Sequence, residues 1–135
     1  MTEYITNHQE ETSKIGRALA KKLRGGDIVA LTGELGSGKT TFVKGLAAGL
    51  GVAEEITSPT FTLLNVYGVR ISEFGVRSFV HIDTYRLVKE RELIAIGIED
   101  YLGAPDTVCV IEWPEKMTGL LRGKKVVRIR FEHVK

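Results

Sequence analysis

Two unbroken apolar runs, Ile28-Val29-Ala30-Leu31 and Val108-Cys109-Val110-Ile111, stand out along the chain. Runs of this length predict strands covered on both faces. Between them Phe42, Val43, Leu46, Ala47 and Leu50 recur on one helical face, and Gly49 with Gly51 marks the stop. Ile15, Ala18, Leu19 and Leu23 show the same spacing near the amino terminus. There Asn7 offers a capping oxygen, Glu10 completes a capping box, and Gly25-Gly26 is the expected end of the helix. Residues 4–6 could form a short edge strand. Residues 60–69 and 76–82 look extended, and the segment 70–75 between them reads as a hairpin turn or a mobile loop, the hairpin being preferred. Residues 88–96 are rich in helix formers. In residues 125–131, Val127, Ile129 and Phe131 alternate with Val126, Arg128 and Arg130, as in a strand with one charged face near a sheet edge.

Composition narrows the picture further. With 135 residues and 43% apolar content, the chain fits one compact domain spanning residues 1–135. Nineteen Lys and Arg nearly balance 17 Asp and Glu, so any contact with a polyanion must be local. Cys109 is the single cysteine and sits inside an apolar run, which predicts a buried, inert thiol in a reducing compartment. No basic stretch followed by an apolar one opens the sequence and no segment has membrane-spanning length, so a cytoplasmic protein without membrane contact is expected.

The chemistry-bearing motif lies between the first apolar run and the helix after it. Gly33-Glu34-Leu35-Gly36-Ser37-Gly38-Lys39-Thr40 has the form G-x-x-x-x-G-K-[ST]. Gly33, Gly36 and Gly38 let backbone N–H groups turn toward phosphate oxygens, Ser37 among them, and the helix N-terminus adds its positive dipole end. Lys39 would reach the outer phosphates, the Thr40 hydroxyl would ligate magnesium, and Thr41 could reach a nearer phosphate. The strand before it and the helix after it are the context the motif requires. The expected architecture is therefore an α/β P-loop NTPase domain with a mostly parallel or mixed central sheet and flanking helices, binding ATP and Mg2+.

Hydrolysis also needs acidic groups near the metal. Phe79-Val80-His81-Ile82-Asp83 and Val108-Cys109-Val110-Ile111-Glu112 are apolar segments ending in a carboxylate, as expected at the carboxyl edge of an α/β sheet. One acid can serve the magnesium shell while the other orients or activates water, and spacing alone does not divide the roles. Ser58, Pro59 and Thr60 stand where P-loop hydrolases commonly place a phosphate-sensing switch; an ordinary turn into a strand accounts for them equally. His81 reads as a buried, hydrogen-bonded strand residue more readily than as a proton donor. Arg86 suits a phosphate or partner contact and a surface ion pair equally well.

The succession Gly33-Glu34-Leu35-Gly36-Ser37-Gly38-Lys39-Thr40-Thr41, Ser58-Pro59-Thr60-Phe61-Thr62-Leu63, His81-Ile82-Asp83-Thr84-Tyr85-Arg86-Leu87 and Ile111-Glu112-Trp113 resembles the bacterial TsaE family, also called YjeE. The resemblance runs from about Ile5 to Phe131. It implies an ATPase required for threonylcarbamoyladenosine modification beside the anticodon of tRNA. It also implies a TsaD-type subunit carrying the transferase centre, a TsaB-type subunit as its partner, and only indirect contact with tRNA. By the same resemblance Lys39 and Thr40 bind phosphate and magnesium, Glu112 completes the metal site, Asp83 is needed for activity, and Trp113 belongs to the Glu112 motif, where packing alone would also explain it. The family's adenine environment would fall near Thr6-Asn7 and His133-Val134. The segment 70–77 is longer and more charged than the corresponding family turn.

Other functions fit less well. A small-molecule kinase would use the same loop, but no second substrate-binding domain or Arg-rich lid follows it. A GTPase lacks its Asn-Lys-x-Asp segment. A nucleotide-gated interaction module, in which ATP only orders residues 57–61, differs from the ATPase solely in turnover. Direct tRNA binding through Arg122, Lys124, Lys125, Arg128 and Arg130 lacks interleaved aromatics before Phe131.

Overall fold

The computed structural model describes residues 3–33, 38–57, 64–70, 75–85 and 89–132. An inner strand of its sheet is β1 (Ile28–Gly33), whose first four residues are buried. Beside it run β4 (Thr107–Glu112), buried throughout, and β5 (Val126–Phe131), both parallel to it. β3 (Ser78–Asp83) pairs parallel with β4, and β2 (Leu64–Gly68) closes the far edge antiparallel to β3. The order β2-β3-β4-β1-β5 makes a five-stranded mixed sheet. The preferred hairpin is present as the antiparallel β2–β3 pair, with residues 71–74 of its connection outside the described set.

Strand alternation divides the core into two layers. Val29, Leu31, Phe79, Val108 and Val110 face α1 (Gln9–Ala20) and α2 (Lys39–Leu50). Val80, Ile82, Cys109 and Ile111 face α3 (Glu90–Ala95), the 3-10 turns Ile98–Asp100 and Pro114–Met117, and α4 (Thr118–Leu121). β5 lies at the opposite edge with Arg128 and Arg130 exposed, as its alternation predicts. Glycines bring the two helices of the first layer unusually close. A Cβ at Gly45 would sit 2.2 Å from the Ser13 carbonyl oxygen, and one at Gly16 would sit 2.5 Å from that of Phe42.

Three local expectations are corrected. Residues 4–6 form no strand, since their exposed backbone pairs with no sheet edge. The helix starts at Gln9 with His8 as N-cap and no side-chain cap; Glu11, not Glu10, reaches back to the Asn7 amide at 3.2 Å. The helix also ends at Ala20, well before Gly25-Gly26. Gly25 is instead a crossing point, because a Cβ there would overlap the Pro105 carbonyl oxygen at 1.8 Å.

The helix contact yields a stability prediction. Gly45→Ala gains about 1 kcal/mol of helix propensity, yet its methyl group meets backbone that can yield only by separating the helices, at about 1–3 kcal/mol. Net destabilisation is expected in urea unfolding, whereas Gly68→Ala, with no heavy atom within 4 Å of its Cβ position, should be neutral. Equal midpoints for the two variants would show that the close approach does not constrain the fold.

Candidate functional site

Gly33 ends β1 at φ 134°, where a Cβ would lie 2.3 Å from the Phe131 carbonyl oxygen, so both conformation and space demand glycine. Gly38 is the N-cap of α2 at φ 103°. No side chain caps this helix and no acid occupies its first turn, so its amide groups and dipole remain available to an anion. Lys39, the first helical residue, is only 5% exposed. Its Nζ donates to the Gly33 carbonyl at 2.7 Å and lies 3.8 Å from the centre of the Trp113 ring. The ammonium is thus held across the mouth of the loop by one hydrogen bond and a cation–π contact. Thr40 is exposed and Thr41 half-buried. Gly36 and Ser37 lie outside the described residues.

The two acids meet this helix from the sheet. In the register of β3 and β4, Asp83 stands opposite Glu112, and in that of β4 and β1, Glu112 stands opposite Leu31. Alternation puts His81, Asp83 and Glu112 on the same face as Phe79, Val108 and Val110, the face covered by α2. Glu112 is 5% exposed and His81 wholly buried. The two are joined at 2.7 Å between Glu112 Oε2 and His81 Nε2. His81 is therefore the buried, hydrogen-bonded strand residue expected, although its Nδ1 has no partner among the described residues. Asp83 is half-buried, and its Oδ1 accepts the Tyr85 amide at 3.0 Å.

The chain leaves β4 through a strained residue. Trp113 has φ 63°, the sole non-glycine positive φ among the described residues. Such a backbone costs about 1–3 kcal/mol and persists only where neighbours enforce it. Here the Trp113 amide donates to the Leu31 carbonyl at 3.3 Å. Buried Thr84 completes the restraint: its amide and hydroxyl donate to the Glu112 carbonyl at 3.2 and 3.0 Å, and the hydroxyl also reaches the Trp113 carbonyl. Tyr85 stacks obliquely on Trp113, with ring centres 5.1 Å apart. Lys116 donates to the Tyr85 carbonyl.

This arrangement of a glycine-rich turn, a helix N-terminus and two strand-end acids can now be set beside known proteins. The family model for the threonylcarbamoyl adenosine biosynthesis protein TsaE matches residues 6–135. The chain belongs to the TsaE family. The tRNA threonylcarbamoyladenosine biosynthesis protein TsaE of Treponema pallidum is 42% identical over 117 residues, covering 87% of this chain and 82% of that one. Its namesake in Bacillus subtilis is 40% identical over 111 residues, covering 82% of this chain and 65% of the relative. The crystal structure of Bacillus subtilis YdiB superposes with a TM-score of 0.71 at 31% identity, covering 96% of this chain and 75% of the other.

In this TsaE chain the remaining motif residues are more dispersed. Asn7 is exposed and its main-chain amide is engaged by Glu11, while the Thr6 hydroxyl pairs with that of Thr12 at 2.9 Å. Thr12 in turn places its Cγ2 3.6 Å from the Cβ position of Gly38, so the start of α1 lies beside the candidate phosphate loop. Ser58, Pro59, Thr60, Arg86 and Val134 lie outside the described residues. Cys109 is buried with its thiol directed at the Tyr101 carbonyl, and burial pushes its pKa up to about 12, in keeping with an inert thiol. Among the described residues no group of three or more His, Cys, Asp or Glu could hold a metal. Among the described residues no helix is long and apolar enough to cross a membrane.

Sequence reasoning quoted Thr84 and Tyr85 within the family motif without giving them a role, and did not single out Lys116. The role of Thr84 is not readable locally, because its partners are 28 and 29 positions away. Thr84→Val should lower stability by about 0.5–1.5 kcal/mol, the net worth of one hydrogen bond, because the half-buried Trp113 carbonyl loses the hydroxyl and keeps the Lys116 amide. Thermal unfolding measures this, and an unchanged midpoint would remove Thr84 from the account of how Trp113 is held.

Proposed function

We propose that this TsaE family member is a magnesium-dependent ATPase that supports tRNA threonylcarbamoyladenosine biosynthesis by binding and cycling a TsaD-type and TsaB-type transferase pair. Residues 1–135 act as one P-loop domain in the cytoplasm, and contact with tRNA is indirect. The observation that carries this reading is the convergence at one sheet edge of the uncapped α2 N-terminus, buried Lys39 and the Glu112–Asp83 pair.

Each residue then has a chemical task. The amides at the start of α2 take phosphate oxygens, and Lys39 exchanges Gly33 and Trp113 for the outer phosphates. The Thr40 hydroxyl and Glu112 would hold magnesium, which supplies concentrated positive charge to the phosphoryl group when bound with ATP. Asp83 and Glu112 share the work of ordering the metal shell and the attacking water. The 58–60 segment would sense the terminal phosphate and pass its state to the partners, because differential affinity in two nucleotide states is what moves such an equilibrium. Asn7 and Val134 would flank the adenine.

Lys39→Ala should weaken magnesium-ATP binding about tenfold or more, a charge-assisted contact being lost while the backbone cradle stays. Titration calorimetry reads this directly, and unchanged affinity would place the nucleotide elsewhere.

Glu112→Gln and Asp83→Asn should instead leave binding nearly intact and depress turnover, since the acids act mainly on metal and transition-state geometry. The measurement is phosphate release with the TsaD–TsaB pair present. Wild-type turnover by both variants would remove the acids from the reaction, and absence of turnover by the wild-type protein would favour a nucleotide-gated module.

A further inference from the structure

His81 is poorly explained as a core residue. It lies wholly inside the sheet–helix layer, opposite Val110 and two residues from Phe79, and its Nδ1 is buried without a hydrogen-bond partner among the described residues. An aliphatic side chain would fill the space without burying an unsatisfied nitrogen, which is normally destabilising. What the imidazole adds is one bond, from Nε2 to Glu112 Oε2 at 2.7 Å. A carboxylate accepts only, so the hydrogen in that bond belongs to Nε2.

The bond is also the single hydrogen bond made to the Glu112 side chain among the described residues. Thr84 holds the Glu112 main chain through two bonds to its carbonyl, but leaves the carboxylate free to rotate. Side chain and main chain thus have separate anchors. We propose that His81 is a positioning residue for Glu112: it engages Oε2, fixes the carboxylate torsions and leaves Oε1 without a protein hydrogen bond among the described residues. This rests on the ATPase reading above and adds to it a residue that never touches nucleotide. Partners of this kind are expected where a metal-binding carboxylate must be preorganised, and removing one typically costs about 10–100-fold in metal affinity or activity.

The test uses three variants whose side chains differ in reach. Gln can bring an amide donor to the place of Nε2, Asn is too short to do so, and Leu fills the space with no donor. Each is checked for folding by thermal unfolding. Turnover is then measured with the TsaD–TsaB pair, and binding of a non-hydrolysable ATP analogue is measured by calorimetry with and without magnesium. His81→Leu and His81→Asn should lose about 10–100-fold in turnover. They should also lose much of the affinity that magnesium adds, while metal-free nucleotide affinity stays at the wild-type level. His81→Gln should recover most of both losses. Wild-type turnover and magnesium dependence in His81→Leu, or equal behaviour of the Gln and Asn variants, overturns the positioning role. If the Leu variant does not fold, the Gln–Asn comparison decides alone. Absence of turnover in the wild-type protein overturns the ATPase reading itself, whereas full turnover in the wild type and the Leu variant alike overturns only the role of His81.

Discussion

Parallel hydrogen bonding of β1, β4 and β3 sets Leu31, Glu112 and Asp83 level across three adjacent strands. The candidate site hangs from that alignment. A slip of one residue in β4 would turn Glu112 away from α2 and bring Ile111 in its place, because side chains alternate between faces. Burial of the β4 side chains in two separate apolar layers resists such a slip, so the core fixes the position of the acid. Beyond the strand ends the ladder continues for one more bond on each side, from Trp113 to Leu31 and from Thr84 to Glu112. The loops that carry Tyr85 and Trp113 therefore leave the sheet from a rigid edge.

The helix layer supplies the opposite wall. Gly16 and Gly45 allow α1 to approach α2 at backbone distance, which brings Thr12 beside Gly38 and the Thr6 segment with it. Stability is given up locally in return. Trp113 occupies a left-handed backbone and His81 buries an unpaired nitrogen, both within one hydrogen bond or one residue of Glu112. Departures from local rules that gather around one acid point to function, since a chain selected for packing alone would remove them.

Much of this was legible in the sequence where the signal is local. The apolar runs of β1 and β4, the heptad-like face of α2 and the alternation of β5 each reflect burial on known faces, and the structure has all four elements. The glycine-rich motif and the carboxylates ending β3 and β4 likewise announce themselves by position. Gly25 was misread because a helix stop and a close chain crossing both call for glycine, and only the distant Pro105 distinguishes them. Leu23 kept helical spacing beyond the helix end because it is buried in the same layer from an irregular segment. Thr84, the His81–Glu112 bond and the Lys39–Trp113 contact depend on partners brought together by the sheet, so no window of sequence contains them.

Under the proposed function the nucleotide binds at the α2 N-terminus beside the ends of β3 and β4 and draws Lys39 away from Trp113. Trp113 is the protein's one tryptophan, so tryptophan emission reports on the surroundings of this one ring, which Lys39 and Tyr85 both touch. The most direct measurement is a titration of tryptophan fluorescence with magnesium-ATP, run beside calorimetry on the same sample. The account predicts a saturable spectral change whose midpoint matches the calorimetric one. Calorimetric binding with no change in Trp113 emission would contradict it.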